Sequence, residues 1–169
     1  MKKILITFIV LFSIFAVSAC KTANDFISWD KLITAIPQTI TGFELQKSEG
    51  ENLPKEDPYW SSAQRVFVKG QDHITISILD SNKDSLLLSD FILTKEVNSD
   101  IEINRKIKIG PYAGWEKIKN DKVKGKETNV IILVQNRILV RVFATAGVSE
   151  EEIQKATTLV DYKGLEGLF

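Results

Sequence analysis

Ile74, Ile76 and Ile78 occupy alternate positions in residues 73–79, and the same two-residue period links Ile101, Ile103, Ile107 and Ile109. That period puts the apolar side chains on one face of an extended strand, whereas a helix would scatter them around its axis. Turn signals cut the pattern into pieces. Lys69-Gly70-Gln71-Asp72 predicts a hairpin joining strands over 63–68 and 73–79. Gln135-Asn136-Arg137 predicts a second, joining 130–134 to 138–143. Residues 42–46 read as a first strand and 112–119 as another, the latter set off from the isoleucine strand by Gly110-Pro111.

Three segments switch to helical spacing. Residues 26–36 carry Trp29, Leu32, Ile33 and Ile36 on one stripe and stop at Pro37. Residues 84–93 carry Leu87, Leu88, Phe91 and Ile92. The last segment is the most explicit: Ser149 and Glu152 form a capping box, and Val148 and Ile153 a hydrophobic staple. Ile153, Ala156, Leu159 and Val160 supply its buried face, and Tyr162-Lys163-Gly164-Leu165 turns the chain off. Residues 48–58, SEGENLPKEDP, read as an acidic, breaker-rich loop. Hairpins with helices at the start, middle and end predict an α+β fold, an antiparallel sheet of about six to seven strands flanked by helices.

Composition narrows the chemistry. The 169 residues hold 22 basic and 22 acidic side chains, one Cys and one His. One cysteine forms no disulfide within the chain, and a single Cys and His supply no zinc cage or multi-histidine metal site. A balanced charge does not predict a nucleic-acid partner.

The start of the chain has its own logic. Met1-Lys2-Lys3 is basic, residues 4–19 are uncharged and mostly Ile, Leu, Val and Phe, and Ser18 and Ala19 are small. This is the anatomy of a secretory signal peptide, and a sixteen-residue uncharged stretch falls short of the ~18–20 of a spanning helix. Val17-Ser18-Ala19-Cys20 resembles the lipobox of bacterial lipoproteins. The resemblance implies a diacylglyceryl group on the Cys20 thiol, cleavage before Cys20, and usually an acyl chain on the new amino terminus. Several chains meet the requirement of stable anchoring for more than one lipid signal. The alternatives are a cleaved signal with an incidental Cys, or an uncleaved anchor. An Asp after the Cys commonly marks inner-membrane retention in Gram-negative lipoproteins, and Lys21 stands there, which favours the outer membrane. The expected organisation is a leader over 1–19, a lipidated tether over 20–25 and one globular domain over 26–169. The element order, with "IPQTITGF" near the start, is also similar to Mog1/PsbP-like proteins. That resemblance implies an α/β/α sandwich, and no functional residue is carried across from it.

No reactive constellation is legible. Asp80-Ser81-Asn82-Lys83-Asp84 begins like a calcium loop, but Ser85 and Phe91 stand where the turn glycine and the last carboxylate belong. A strand-to-helix connection capped by Asp84 or Ser81 is the expectation. His73 follows Asp72, yet neighbours on a strand point to opposite faces, so Asp72 is badly placed to orient it as a base. Glu150, Glu151 and Glu152 suit a helix amino terminus, and Glu49, Glu51, Glu56 and Asp57 a loop. Tyr59, Trp60, Tyr112 and Trp115 are read as core or sheet-face packing, with a groove as the alternative. No catalytic or metal-binding residue, and no cofactor beyond the Cys20 lipid, is expected; the domain reads as a non-catalytic binding or scaffolding domain, the alternatives being an accessory subunit of an envelope complex or an envelope hydrolase using His73 or a carboxylate pair.

Charge is segregated along the chain. Removing 1–19 takes away Lys2 and Lys3 and no acid, so the remainder is −2. Within it, residues 105–141 hold ten basic side chains and three acids, a +7 segment against −9 elsewhere. Lys117, Lys119, Lys122, Lys124 and Lys126, flanked by Trp115, form a candidate patch for an anionic surface or an acidic partner. The alternative is a solvated hairpin whose lysines discourage edge pairing.

Overall fold

The computed structural model describes residues 27–52, 60–123 and 125–169. Phe26, Tyr59, Lys124, the leader with Val17, Ser18, Ala19 and Cys20, the tether, and residues 53–58 of the acidic loop lie outside the described residues.

Eight strands form one antiparallel sheet: β1 (Glu44–Asn52), β2 (Ser61–Lys69), β3 (Asp72–Asp80), β4 (Val97–Asn98), β5 (Glu102–Ile109), β6 (Tyr112–Asp121), β7 (Gly125–Val134) and β8 (Ile138–Ala144). Their order is β1-β2-β3-β8-β7-β6-β5-β4. The fold is therefore sheet-rich α+β, as the alternation predicts, with more strands than the expected six to seven. The addition at the edge is β4, two residues long and exposed, too short for periodicity to reveal.

Helices α1 (Trp29–Leu32), with its 3-10 extension Ile33–Ala35, α3 (Glu150–Thr158) and α4 (Tyr162–Glu166) contribute to the main core. Ile74, Ile76 and Ile78 sit at its centre, fully buried. One cross-strand row shows how this face is made: Arg105, Glu116, Val130, Val142, Ile76, Arg65 and Ser48 lie opposite one another from β5 to β1. Helix α1 comes in close because Gly50 has no side chain; a Cβ there would strike the Trp29 ring. The opposite face carries a smaller cluster of Leu88, Ile131 and Leu139, bordered by Leu79, Phe91 and Leu133. The four-residue helix α2 (Ser89–Ile92) belongs to that side.

Several expectations are corrected. Strand β1 runs through Asn52, so residues 48–52 are strand, held opposite β2 by the register Ser48↔Arg65 to Asn52↔Ser61. The helix expected over 84–93 shrinks to α2: Asn82 and Lys83 take positive φ, and the Asp84 carboxylate accepts from the Leu86 amide, which favours turns. Neither Asp84 nor Ser81 caps α2, whose N-cap is Leu88. The tail forms α4, capped by Asp161, which accepts from the Gly164 amide. Leu159, expected on the buried face of α3, is 50% exposed because it follows the last helical turn. Ile101 is likewise exposed and precedes β5.

Other local signals are found as read. The β2–β3 hairpin turns at Gly70, φ +64°, where a left-handed residue is needed. Gln135 and Asn136 both take positive φ in the β7–β8 turn, the geometry of a type I′ turn within a three-residue connection. The Ser149–Glu152 capping box is complete in both directions.

Candidate functional site

The two ends of the sheet differ in what they hold. At one end β2 begins, β3 ends and β8 begins. Ile27 is fastened there: its amide donates to Asp80 Oδ2 at 3.3 Å, and its carbonyl accepts from the Ser61 hydroxyl. Asp80 is fully buried and forms a two-pronged ion pair with Arg137, Nε to Oδ1 at 2.6 Å and Nη2 to Oδ2 at 2.7 Å. Asp80 Oδ1 also accepts from the Asn82 amide, and the Ser81 hydroxyl donates to the Arg137 carbonyl. The segment that opens like a calcium loop thus spends its first carboxylate on an internal guanidinium. Arg137, one of the ten basic side chains of the +7 segment, is buried, 5% exposed.

The opposite end carries the β6–β7 tip. Lys122 and Lys126 are exposed there, and Lys119 lies across from Glu127. The described members of the predicted patch divide between the two faces of the sheet. Lys117 and Lys119 share a face, as expected, but Lys126 lies opposite Asn120 and so points to the other one. Lys117 reaches to α2, its Nζ donating to the Asp90 carbonyl at 3.3 Å. Trp115 is 8% exposed and about 20 Å along β6 from the tip.

What Trp115 joins instead is a row on the less covered face: Lys106, Trp115, Ile131, Arg141, Ser77, Gln64 and Glu49, opposite one another across seven strands. The Lys106 ammonium stands 5.6 Å from the Trp115 ring centroid, within cation–π range. Beside it a groove of about 560 Å³ opens between α2 and the β5–β6 turn, lined by Phe91, Ile92, Ala113, Trp115 and Leu133, with Lys106 and Lys108 at its border. That volume is typical of sites for small organic ligands, ~300–1,000 Å³. Asp90 of α2 serves other cations: it accepts from Arg141 Nη2 at 3.1 Å and lies 4.0 Å from Lys117 Nζ. Spacing along β5 hints at the two groove lysines; their companions come from α2, β6 and β7, which only the fold brings together.

Several other acids are occupied structurally. Asp72 accepts from the Thr145 hydroxyl at 3.1 Å and the Gly147 amide at 2.9 Å, tying the β8 exit to β3, while His73 packs tilted against Phe143 at 5.6 Å. Buried Glu116 pairs with Arg105, which also donates to Glu150 at 2.8 Å. Glu152 accepts from Lys69 at 2.7 Å and from the Ser149 amide and hydroxyl, and these bonds lower its pKa to about 2. Tyr162, stacked on Tyr112 at 5.0 Å, donates to the Thr157 carbonyl, and burial pushes its hydroxyl pKa up. Among the described residues no three His, Cys, Asp or Glu side chains converge as metal ligands, and no helix is long and apolar enough to cross a membrane.

No family model matches the chain, and no curated protein or solved structure is significantly similar to it.

Proposed function

We propose that the protein is a bacterial cell-envelope lipoprotein, anchored through lipid on Cys20 and carrying a non-catalytic binding or scaffolding domain on the outer side of the membrane. The observation that carries this reading is the sequence Val17-Ser18-Ala19-Cys20 at the end of a basic-then-apolar leader. Residues 1–19 would be removed, and 20–25 would act as the tether. The helices α1, α3 and α4 on one face and α2 on the other support the Mog1/PsbP-like sandwich as the finer description of the fold. The structural employment of Asp72, Asp80, Glu116 and Glu152 supports binding over hydrolysis.

The anchor is tested by mass spectrometry of the membrane-fraction protein. The expected mature amino terminus is Cys20 bearing acyl mass, lost in Cys20→Ala; a terminus at Cys20 without acyl mass would sink the proposal.

A specific observation favours a protein partner, as in an accessory subunit of an envelope complex, over the anchoring bilayer as the target of the lysine tip. Ile27 is fixed at one end of the sheet, and Lys122 and Lys126 stand at the other, about 33 Å away along the ten residues of β6. From Cys20 to Ile27 the chain spans at most about 25 Å. An acidic partner should therefore be lost from pulldowns when Lys119, Lys122 and Lys126 are changed to Glu, and binding to anionic vesicles should not fall. Pulldowns unchanged by the triple reversal would remove the tip as a contact.

A further inference from the structure

The groove under α2 has a composition that neither anchoring nor the lysine tip explains. Its lining from Phe91, Ile92, Ala113, Trp115 and Leu133 is apolar, and Ile92 is 58% exposed although it belongs to that lining. Burying such surface is favourable at ~25 cal/mol per Å², so an apolar group that fits it is held. The border is cationic. Lys106 and Lys108 are two residues apart on β5, hence on one face, and among the described residues neither forms an ion pair within 4.0 Å. The nearby carboxylate, Asp90, is committed to Arg141 and lies next to Lys117. Apolar lining plus two uncompensated ammonium groups at one rim complements a molecule that is apolar along its length and anionic at one end.

We infer that this groove binds a single-chain anionic amphiphile, its acyl chain between α2 and β6 and its carboxylate or phosphate head at Lys106 and Lys108. The inference deepens the binding reading above, which it takes as its premise, and does not depend on the lysine tip. Helix α2, four residues long and joined by turns on both sides, walls the groove without contributing to the main core. Lys108 and Ala113 of the groove flank the Gly110-Pro111 turn, at the end of the sheet where Ile27 is fastened.

The experiment uses the full chain in neutral phosphatidylcholine nanodiscs, titrated with ω-bromoundecanoate, whose heavy atom quenches a tryptophan it touches. Three tryptophans emit, and Trp115 alone lines the groove. The expected result is saturable quenching that vanishes in Trp115→Phe. In Lys106→Gln/Lys108→Gln, both exposed positions, affinity should fall roughly tenfold, and the uncharged ω-bromoundecanol should bind the unaltered chain correspondingly less well. Quenching that rises linearly with probe, or is equal in Trp115→Phe, overturns the site. Equal affinity for acid and alcohol, or in the double lysine variant, overturns the anionic ligand class. Acyl mass on Cys20 in the same preparations separates the two proposals: saturable quenching without acyl mass removes the anchor alone, and acyl mass without saturation removes the groove alone.

Discussion

Both faces of the sheet are made by the same strands, residue by alternate residue, yet they are finished differently. On one, Val130, Val142 and Ile76 form a buried centre between the ion pair of Arg105 and Glu116 and the polar end of Arg65 and Ser48, and three helices close over it. On the other, the neighbouring row runs from Lys106 and Trp115 through Ile131 to Ser77 and Glu49, covered among the described helices by the short α2 alone. The first row pairs Arg105 with Glu116 within the fold. The second leaves lysines and apolar surface side by side. Stability is concentrated on the closed face, and unspent interaction capacity on the open one.

The largest expected effect breaks the closed face at its end. Arg137→Met leaves the Asp80 carboxylate buried without its guanidinium and should cost about 3–5 kcal/mol in denaturant unfolding. A loss below 1 kcal/mol would show that Asp80 finds water there. Next, Ile76→Ala should cost about 3 kcal/mol, as expected of a fully buried aliphatic side chain. Leu133→Ala, half-buried on the open face, should cost distinctly less; equal losses would erase the contrast between the faces.

A smaller effect comes from the cap of α3. Glu152→Ala should lower stability by about 1 kcal/mol. The Glu152 carboxyl titrates at about 2 in the folded chain against an ordinary 4.5, so the unfolded state binds its proton first as pH falls. Its contribution is therefore fully present above about pH 4.5 and lost as pH drops toward 2, and the stability of Glu152→Gln should be less steep across that window. Smallest of all, Ile92→Ser on the open face should change stability by no more than about 0.5 kcal/mol while weakening amphiphile binding.

Features written in adjacent residues were legible. The alternation of Ile74, Ile76 and Ile78 specifies a strand face without reference to anything distant, and Ser149 with Glu152 specifies where a helix starts. Features that depend on partners far along the chain were not. Arginine in a hairpin turn is ordinarily solvated, and Asp80, 57 residues earlier, helps reverse that for Arg137. Leu87, Leu88, Phe91 and Ile92 have helical spacing, but left-handed Asn82 and Lys83 and the Asp84 turn leave only α2 helical. Trp115 next to a lysine-rich hairpin suggests one patch; the register instead sets it against Lys106 and Ile131. The groove was invisible for the same reason, since its walls come from separate elements. Cys20 and Lys124, outside the described residues, rest on sequence alone.

The fastening of Ile27 has a mechanical side. Any pull on the amino-terminal segment enters the domain at a residue bonded to Ser61 of β2 and Asp80 of β3, and Asp80 passes it through Arg137 to the β7–β8 turn. The load is thus shared at once by four strands, β2, β3, β8 and β7, that lie side by side in the interior of the sheet, and peeling one edge strand does not relieve it. A domain fastened this way takes a pull on its amino-terminal segment across several neighbouring strands and not at one edge.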